Sequence, residues 1–297
     1  MYENKEFLAI HDFVNNLLKV NKLFDVIRII DPIRNLIVYY NDLSEIGVPY
    51  FCNNFLNIDE KCENCISTRA LNEDETYIKI QYEVDKIYMI TAAKVSINRK
   101  EYLMEMIKDI TISLVADLGE KEELKNIISD LNKKLVIDEL TGVYNRRYIN
   151  ERLPEDIYNV DLNNKKISII MADIDGFKEI NDNFGHMAGD VVLKEVSNII
   201  KKNIRNKHDW AARFGGDEFL IVVQNTNKDI AYMICEKIRR SITNKSFFCR
   251  DKEIKVTASF GAYTLEPNIK NIEEVLKNVD ENLYEAKRLG KNRTVSS

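Results

Sequence analysis

The stretch WAARFGGDEFLIVVQ (210–224) sets two strand-like runs on either side of a glycine pair, Gly215-Gly216. A connection that short makes a β-hairpin, so this half of the chain must be built on a sheet. The segments around it alternate in period. KISIIMADID (166–175) reads as a short apolar strand that ends in carboxylates, and VVLKEVSNIIKKNI (191–204) as an amphipathic helix. DIAYMICEKIRRSI (229–242) reads as a further helix, KVTASFGAYTL (255–265) as a strand and NIEEVLKNVDENLYEAKRL (271–289) as a last helix. Such alternation predicts one sheet with helices packed on it.

The first 112 residues read as a separate mixed α/β unit. Phe7, Ile10, Val14, Leu17 and Leu18 share one helical face. Val26, Ile27, Ile29 and Ile30 form a strand, Leu36–Tyr40 a second, and Asp31-Pro32 with Arg34-Asn35 the turn between them. TYIKIQYEVDKIYMITAAKVSI reads as a strand pair about Val84-Asp85-Lys86, and EYLMEMIKDIT as a closing strand. Between about Ser113 and Ile137 the pattern becomes a single helix. Leu124, Ile128, Leu131 and Leu135 alternate steps of four and three, an a/d seam about two heptads long. That seam favours a dimerising linker, because the stretch sits between two units and lacks Gly and Pro; a helix packed on its own domain is the alternative. The expected division is 1–112, 113–137 and 138–297.

A length of 297 residues suits two ordinary domains. With 43 basic and 48 acidic side chains the formal charge is −5, which argues against a dedicated nucleic-acid binder. The acidity is uneven. Residues 1–137 hold 17 basic and 23 acidic groups (−6), and residues 138–297 hold 26 and 25 (+1). The N-terminus is charged at Glu3, Lys5 and Glu6 and does not read as a signal peptide. Apolar runs fall short of the ~18–20 residues that span a bilayer. With five cysteines, an odd number, the expectation is a reduced, cytoplasmic protein without membrane insertion.

Candidate chemistry is acidic and sits at strand ends. Asp173 and Asp175 close the strand 166–175, and alternation puts both on one face. Asp217 and Glu218 follow the glycines. If these strands are neighbours, Asp173 and Asp217 converge at one sheet edge. Converging carboxylates repel unless a cation lies between them. Hard oxygens suit Mg²⁺, which usually takes one or two carboxylates plus phosphate oxygens. Acidic residues at turns are also commonly just solvated, and the glycines also suit a plain hairpin turn. The two features together favour a metal site.

Gly215-Gly216-Asp217-Glu218-Phe219 spells the signature of the GGDEF-domain diguanylate cyclases, and the chain resembles that family well beyond it. DELTGVYNRR (138–147) looks like the domain's opening motif and DIDGFKEINDNFGHMAGD (173–190) like its metal and nucleotide segment. TASFGA (257–262) and NLYEAKRLGKNR (282–293) look like its closing motifs. The resemblance covers about 160 residues. It implies a palm-type domain with a central, mostly antiparallel sheet flanked by helices. The implied reaction condenses two GTP into cyclic di-GMP and two pyrophosphates across a homodimer, each 3′-hydroxyl attacking the α-phosphate held by the other subunit.

Matching positions carry the implied roles. Asp173 and Asp217, with the carbonyl of Ile174, are the expected ligands of Mg²⁺, two ions per site, with Mn²⁺ as an alternative. Glu218 completes the metal site or assists deprotonation of the 3′-hydroxyl. Gly215 and Gly216 leave room for the nucleotide. Asn181 and Asp190 are expected to select guanine, whose N1–H and exocyclic amine both suit a carboxylate. Asp190 also suits the cap of the helix 191–204. Phosphate contacts are expected from Phe177 and Lys178 and from Lys287 and Lys291, which as plain surface charges would need no such role. Lys291 stands where the family usually has Arg and lacks its bidentate fork. His186 is read as structural.

Many of these cyclases carry an RxxD product-inhibition site. Here the segment is Asn206-Lys207-His208-Asp209, with Asn206 in place of the Arg, so weak or absent feedback is expected. Intact Asp173, Asp217 and Glu218 favour an active enzyme over a degenerate, GTP-binding regulatory module. The N-terminal unit loosely resembles a PAS sensor, on VIRIIDP and on MEMIKDIT leading into a helix. Its input, a small-molecule or redox signal, is not readable. Cys52, Cys62 and Cys65 form C-x9-C-x2-C, open to reading as buried thiols, a metal or cluster site, or a thiol–disulfide switch. Cys235 and Cys249 are read as structural.

Overall fold

The computed structural model describes residues 10, 12–14, 23–32, 36–40, 64–83, 85–113, 121–163, 166–205, 209–249, 252–265 and 272–297. Cys52, Cys62, Asn206, Val84 and most of the helix expected about Phe7–Leu18 lie outside these residues. The chain divides into two compact units, Met1–Leu135 and Val136–Ser297.

Unit 1 is a five-stranded antiparallel sheet in the order β2-β1-β5-β4-β3. Its strands are β1 (Val26–Asp31), β2 (Leu36–Tyr40), β3 (Tyr77–Glu83), β4 (Lys86–Ile97) and β5 (Lys100–Asp109). Strand alternation divides its core. Ile27, Ile29, Tyr39, Tyr102 and Met104 pack with Ile10 and Val14. Ile30, Ile37 and Leu103 pack with Ile66 and Ala70 of helix α1 (Ile66–Glu73). The β4–β5 turn uses Asn98 and Arg99 at φ 52° and 65°, a pair of left-handed residues that matches the twist of a tight hairpin.

Helix α2 (Lys121–Val136) follows. Residues 111–113 are helical and 114–120 are not described. The heptad seam divides. Leu124 and Ile128 are buried against Ile87, with Tyr82 and Ile110 beside them, while Leu131 and Leu135 are exposed. The first half of the seam therefore packs on its own unit, and Asn132 Nδ2 ties the helix to the Ile80 carbonyl at 3.0 Å.

Unit 2 has a five-stranded sheet in the order β12-β11-β6-β8-β7. Its strands are β6 (Ile167–Ile174), β7 (Trp210–Gly215), β8 (Glu218–Gln224), β11 (Ala258–Leu265) and β12 (Thr294–Ser296). All pairings are antiparallel except β11–β12. The central strand β6 is buried on both faces, which explains its unbroken apolar run. Ile170 and Ala172 face α5 (His186–Asn203) and α6 (Lys228–Thr243). Ile169 and Met171 face α3 (Arg146–Asn163) and α7 (Ile272–Arg288). Helix α4 (Phe177–Phe184) and a small hairpin, β9 (Phe247–Cys249) with β10 (Lys252–Ile254), complete the unit. Cys235 is buried in α6 and Cys249 is half-buried at the end of β9.

The acidic residues do not converge at an edge of the sheet. β6 and β8 are interior strands, and their acids meet at the open ends of that pair. Asp190 does not cap a helix either. α5 begins at His186 with Gly185 as its N-cap, so Asp190 lies inside it and is exposed.

Candidate functional site

β6 carries Asp173 one residue before its end, and β8 begins with Glu218 directly opposite. Between β7 and β8 the chain turns through Gly216 and Asp217, with Gly216 at φ 54°. Glycine takes up that left-handed conformation without the strain a side chain brings, which suits it to the turn. Arg213 Nε donates to the Gly216 carbonyl at 2.8 Å and holds the turn from behind. Asp138 lies 3.5 Å from the same guanidinium and accepts from the Thr141 amide at 2.9 Å. The opening motif thus braces the hairpin. Ile174 N is 3.4 Å from the Asp217 carbonyl, which joins the end of β6 to the turn.

Asp173, Asp217 and Glu218 therefore share one corner, and Lys287 from the last turn of α7 enters it. Lys287 Nζ donates to Asp173 Oδ2 at 2.7 Å. Burial raises the pKa of Asp173 above the ordinary value in spite of that ammonium. Glu218 is raised as well, first by burial and then by the charge on Asp173. Partly desolvated carboxylates facing each other are poorly compensated by one lysine, and they favour a further cation. Among the described residues no three or more His, Cys, Asp or Glu are grouped as a self-sufficient metal cage. The set fits a hard cation that shares its shell with phosphate oxygens.

The pairing with β11 runs on past the end of β6, with the Asp175 amide donating to the Thr257 carbonyl at 2.9 Å, so Asp175 stays on the face of Asp173, as alternation predicts. It accepts from Thr257 Oγ1 and Ser259 Oγ, each at 2.7 Å, and from the Asn292 amide at 3.0 Å. Gly176 then caps α4 at φ 69°. The first amides of α4, including those of Phe177 and Lys178, have no acceptor within the helix and form a positive end. The Phe177 ring packs against the core below, and Lys178 is exposed.

Asn181 lies on α4 against Gly189 of α5. A methyl on Gly189 would sit 2.0 Å from Asn181 Oδ1 and 3.0 Å from Phe177 Cζ. Gly215 and Gly216 have open space where a side chain would stand. Lys291 is exposed in the turn after α7, at φ 61°. His186 is exposed. Asp209 is drawn elsewhere. Arg205 grips its carboxylate with Nε at 2.9 Å and Nη2 at 2.8 Å, and the Gln224 amide donates to it at 3.0 Å. Cys65 precedes α1, its Sγ 3.4 Å from Thr68 Oγ1.

Three contributors had no signal of their own in the sequence: Arg213, Gly189 and Asn292. Each lies within or beside a motif, yet its role depends on what it touches in the fold.

A mostly antiparallel sheet flanked by helices, with acids at the open end of its interior strands, defines a palm-type domain. The family described as "Diguanylate cyclase, GGDEF domain" matches residues 135–293, more than half of the sequence, and the chain belongs to it. Diguanylate cyclase A of Treponema denticola is 38% identical over 204 residues, which cover 61% of this chain and 55% of that protein. The response regulator PleD of Caulobacter vibrioides is 35% identical over 174 residues, 58% of this chain and 38% of that one. The chain thus spans about half the length, or less, of these curated relatives. The solved coiled coil and GGDEF domain of DgcB from Caulobacter crescentus, in complex with c-di-GMP, superposes with a TM-score of 0.58. It is 25% identical and covers 63% of this chain and 99% of that one. Among the described residues no helix is long and apolar enough to cross a membrane.

Proposed function

We propose that unit 2 is a diguanylate cyclase that condenses two GTP into cyclic di-GMP and two pyrophosphates, one GTP on each subunit of a homodimer. The observation that carries this reading is the corner itself: Asp173 faces Glu218 across β6–β8, beside an intact Gly215–Phe219 signature and Lys287. Mg²⁺ at Asp173, the Ile174 carbonyl and Asp217, or Mn²⁺ in its place, would neutralise phosphate charge and favour ionisation of the attacking 3′-hydroxyl.

The chain's own groups do the rest. Glu218, whose pKa burial raises, suits a base that takes the 3′-hydroxyl proton. The amides of Phe177 and Lys178 and the ammonium groups of Lys178, Lys287 and Lys291 hold the triphosphate. Gly215 and Gly216 let it approach the backbone. Asn181 and Asp190, on adjoining helices, read the guanine edge. Unit 1, a separate fold with its own sheet, supports the PAS-like sensor reading, with its signal a small molecule or a redox change. We place the protein in the cytoplasm.

Purified chain is incubated with GTP and Mg²⁺ and the products are chromatographed, with Glu218→Gln as control. Cyclic di-GMP from the wild type, and not from the variant, is expected. GTP binding without product from a dimeric wild type would instead indicate a regulatory module.

A further inference from the structure

The three residues after α7 and its following leucine have an unusual backbone. Gly290, Lys291 and Asn292 lie at φ 116°, 61° and 46° in succession. Glycine adopts such angles readily and Asn tolerates them, but a lysine there is held by its surroundings. The Lys291 amide donates to the Ala286 carbonyl at 3.1 Å, and Asn292 is tied on two sides. On one side the Asn292 amide donates to Asp175 Oδ2 at 3.0 Å. On the other, Asn292 Oδ1 accepts from Arg239 Nη1 at 2.9 Å and from Thr243 Oγ1 at 3.1 Å, both on α6. Arg239 is itself fixed by Glu236, whose second role is to accept from Thr294 Oγ1 at 2.8 Å.

We propose that Asp175 is a positioning residue for triphosphate binding, acting through the Asn292 amide to fix Lys291 in its left-handed conformation. The D-x-D pair thereby divides its labour: Asp173 faces the reaction corner, and Asp175 anchors the C-terminal loop to the end of β6. Thr257 and Ser259 keep the Asp175 carboxylate aimed at that amide by filling its other lone pairs. Their hydroxyls donate to both of its oxygens, so the carboxylate has one orientation. The inference rests on the reading of unit 2 as a GTP-binding cyclase, and it adds a residue that touches no substrate.

The test is a double-mutant cycle in full-length protein. GTP affinity is measured by calorimetry in a Glu218→Gln background, for Asp175→Asn, for Lys291→Met and for the pair. Each single substitution is expected to weaken GTP about tenfold, the scale of one charge-assisted hydrogen bond or ion contact. The pair is expected to be no weaker than the worse single variant, because Asp175 acts only through Lys291. In the catalytically intact chain Asp175→Asn should raise KM with a smaller effect on kcat. Should Asp175→Asn fail to fold, Ser259→Ala replaces it, with a loss of roughly two- to fivefold that again vanishes beside Lys291→Met. Losses that multiply in the double variant, or an Asp175→Asn chain with wild-type affinity, overturn this inference alone. Wild-type chain that binds no GTP overturns the cyclase reading and this inference together.

Discussion

Gly261, in the middle of β11, lies under α7. A methyl there would stand 2.2 Å from Leu283 N, 2.5 Å from Val279 O and 2.7 Å from Leu283 Cα. All three atoms are helix backbone and cannot rotate aside. To restore ordinary contact at about 3.4 Å, α7 must withdraw by roughly 1.2 Å (3.4 − 2.2). Lys287 is one turn beyond Leu283 and moves with it, away from Asp173. Overpacking of this kind costs about 1–3 kcal/mol. At about 2–4 °C per kcal/mol for a domain of this size, Tm falls by roughly 2–12 °C. A misplacement near 1 Å can lower turnover by about 100-fold. Gly215→Ala is the matched contrast. It meets no protein atom within 4 Å, so stability changes by less than about 0.5 kcal/mol. Its methyl stands where the nucleotide is proposed to approach, so KM for GTP rises. The assays are thermal melting and chromatographic GTP turnover on both variants. A Gly261→Ala protein with wild-type turnover would refute the coupling of β11 packing to Lys287. A Gly215→Ala protein with lowered Tm and unchanged KM would refute the assignment of open space to the ligand.

Glu218 has a raised pKa in the fold, so its ionised form opposes folding. That cost is absent below the unfolded value of about 4.5 and grows as pH rises through the folded value. Nucleotide-free Glu218→Gln should therefore melt above wild type at neutral pH, with the gap closing toward pH 4; a variant that melts lower at neutral pH contradicts this. Gly189→Ala should push Asn181 out of line, raising KM for GTP and narrowing the preference for GTP over ATP in calorimetry. Preference retained at the wild-type level would show that Asn181 does not read the base. Added cyclic di-GMP should leave initial rates unchanged, because Arg205 and the Gln224 amide already hold the Asp209 carboxylate; tight binding of product to Glu218→Gln protein would show otherwise.

The sheet of unit 2 was legible because its strands are apolar on both faces and its hairpin carries a glycine turn. Several elements were not legible, among them the helices α1, α3 and α4 and three short strands. β9, β10 and β12 have three residues each, too few for a period to show. The first turn of α5 was missed because His186 to Asp190 carry no apolar stripe, and the helix is stopped by Gly185 rather than by a polar cap. Alternation puts Asp173 and Asp175 on one face, and pairing with β11 carries that face on to Asp175, where Thr257 and Ser259 take its carboxylate. The seam of α2 has the same spacing whether its partner is its own sheet or a second helix. Only the burial of Leu124 and Ile128 beside exposed Leu131 and Leu135 separates its two halves.

Residues 138–297 are nearly neutral, with 26 basic and 25 acidic side chains, yet the proposed ligand is a triphosphate. A long-range positive field is therefore not what holds it. Affinity has to come from a few cations and amides placed at short range, and several of the residues that present them are fixed by a group that lies behind. Arg213 pins the turn that presents Gly216, Gly189 makes room for Asn181, Gly261 seats the helix that brings Lys287, and Asp175 anchors the loop of Lys291. The motifs that mark the family are thus as much about these supports as about ligand contacts. A substitution at a support is felt as lost binding although it removes no group that meets the nucleotide.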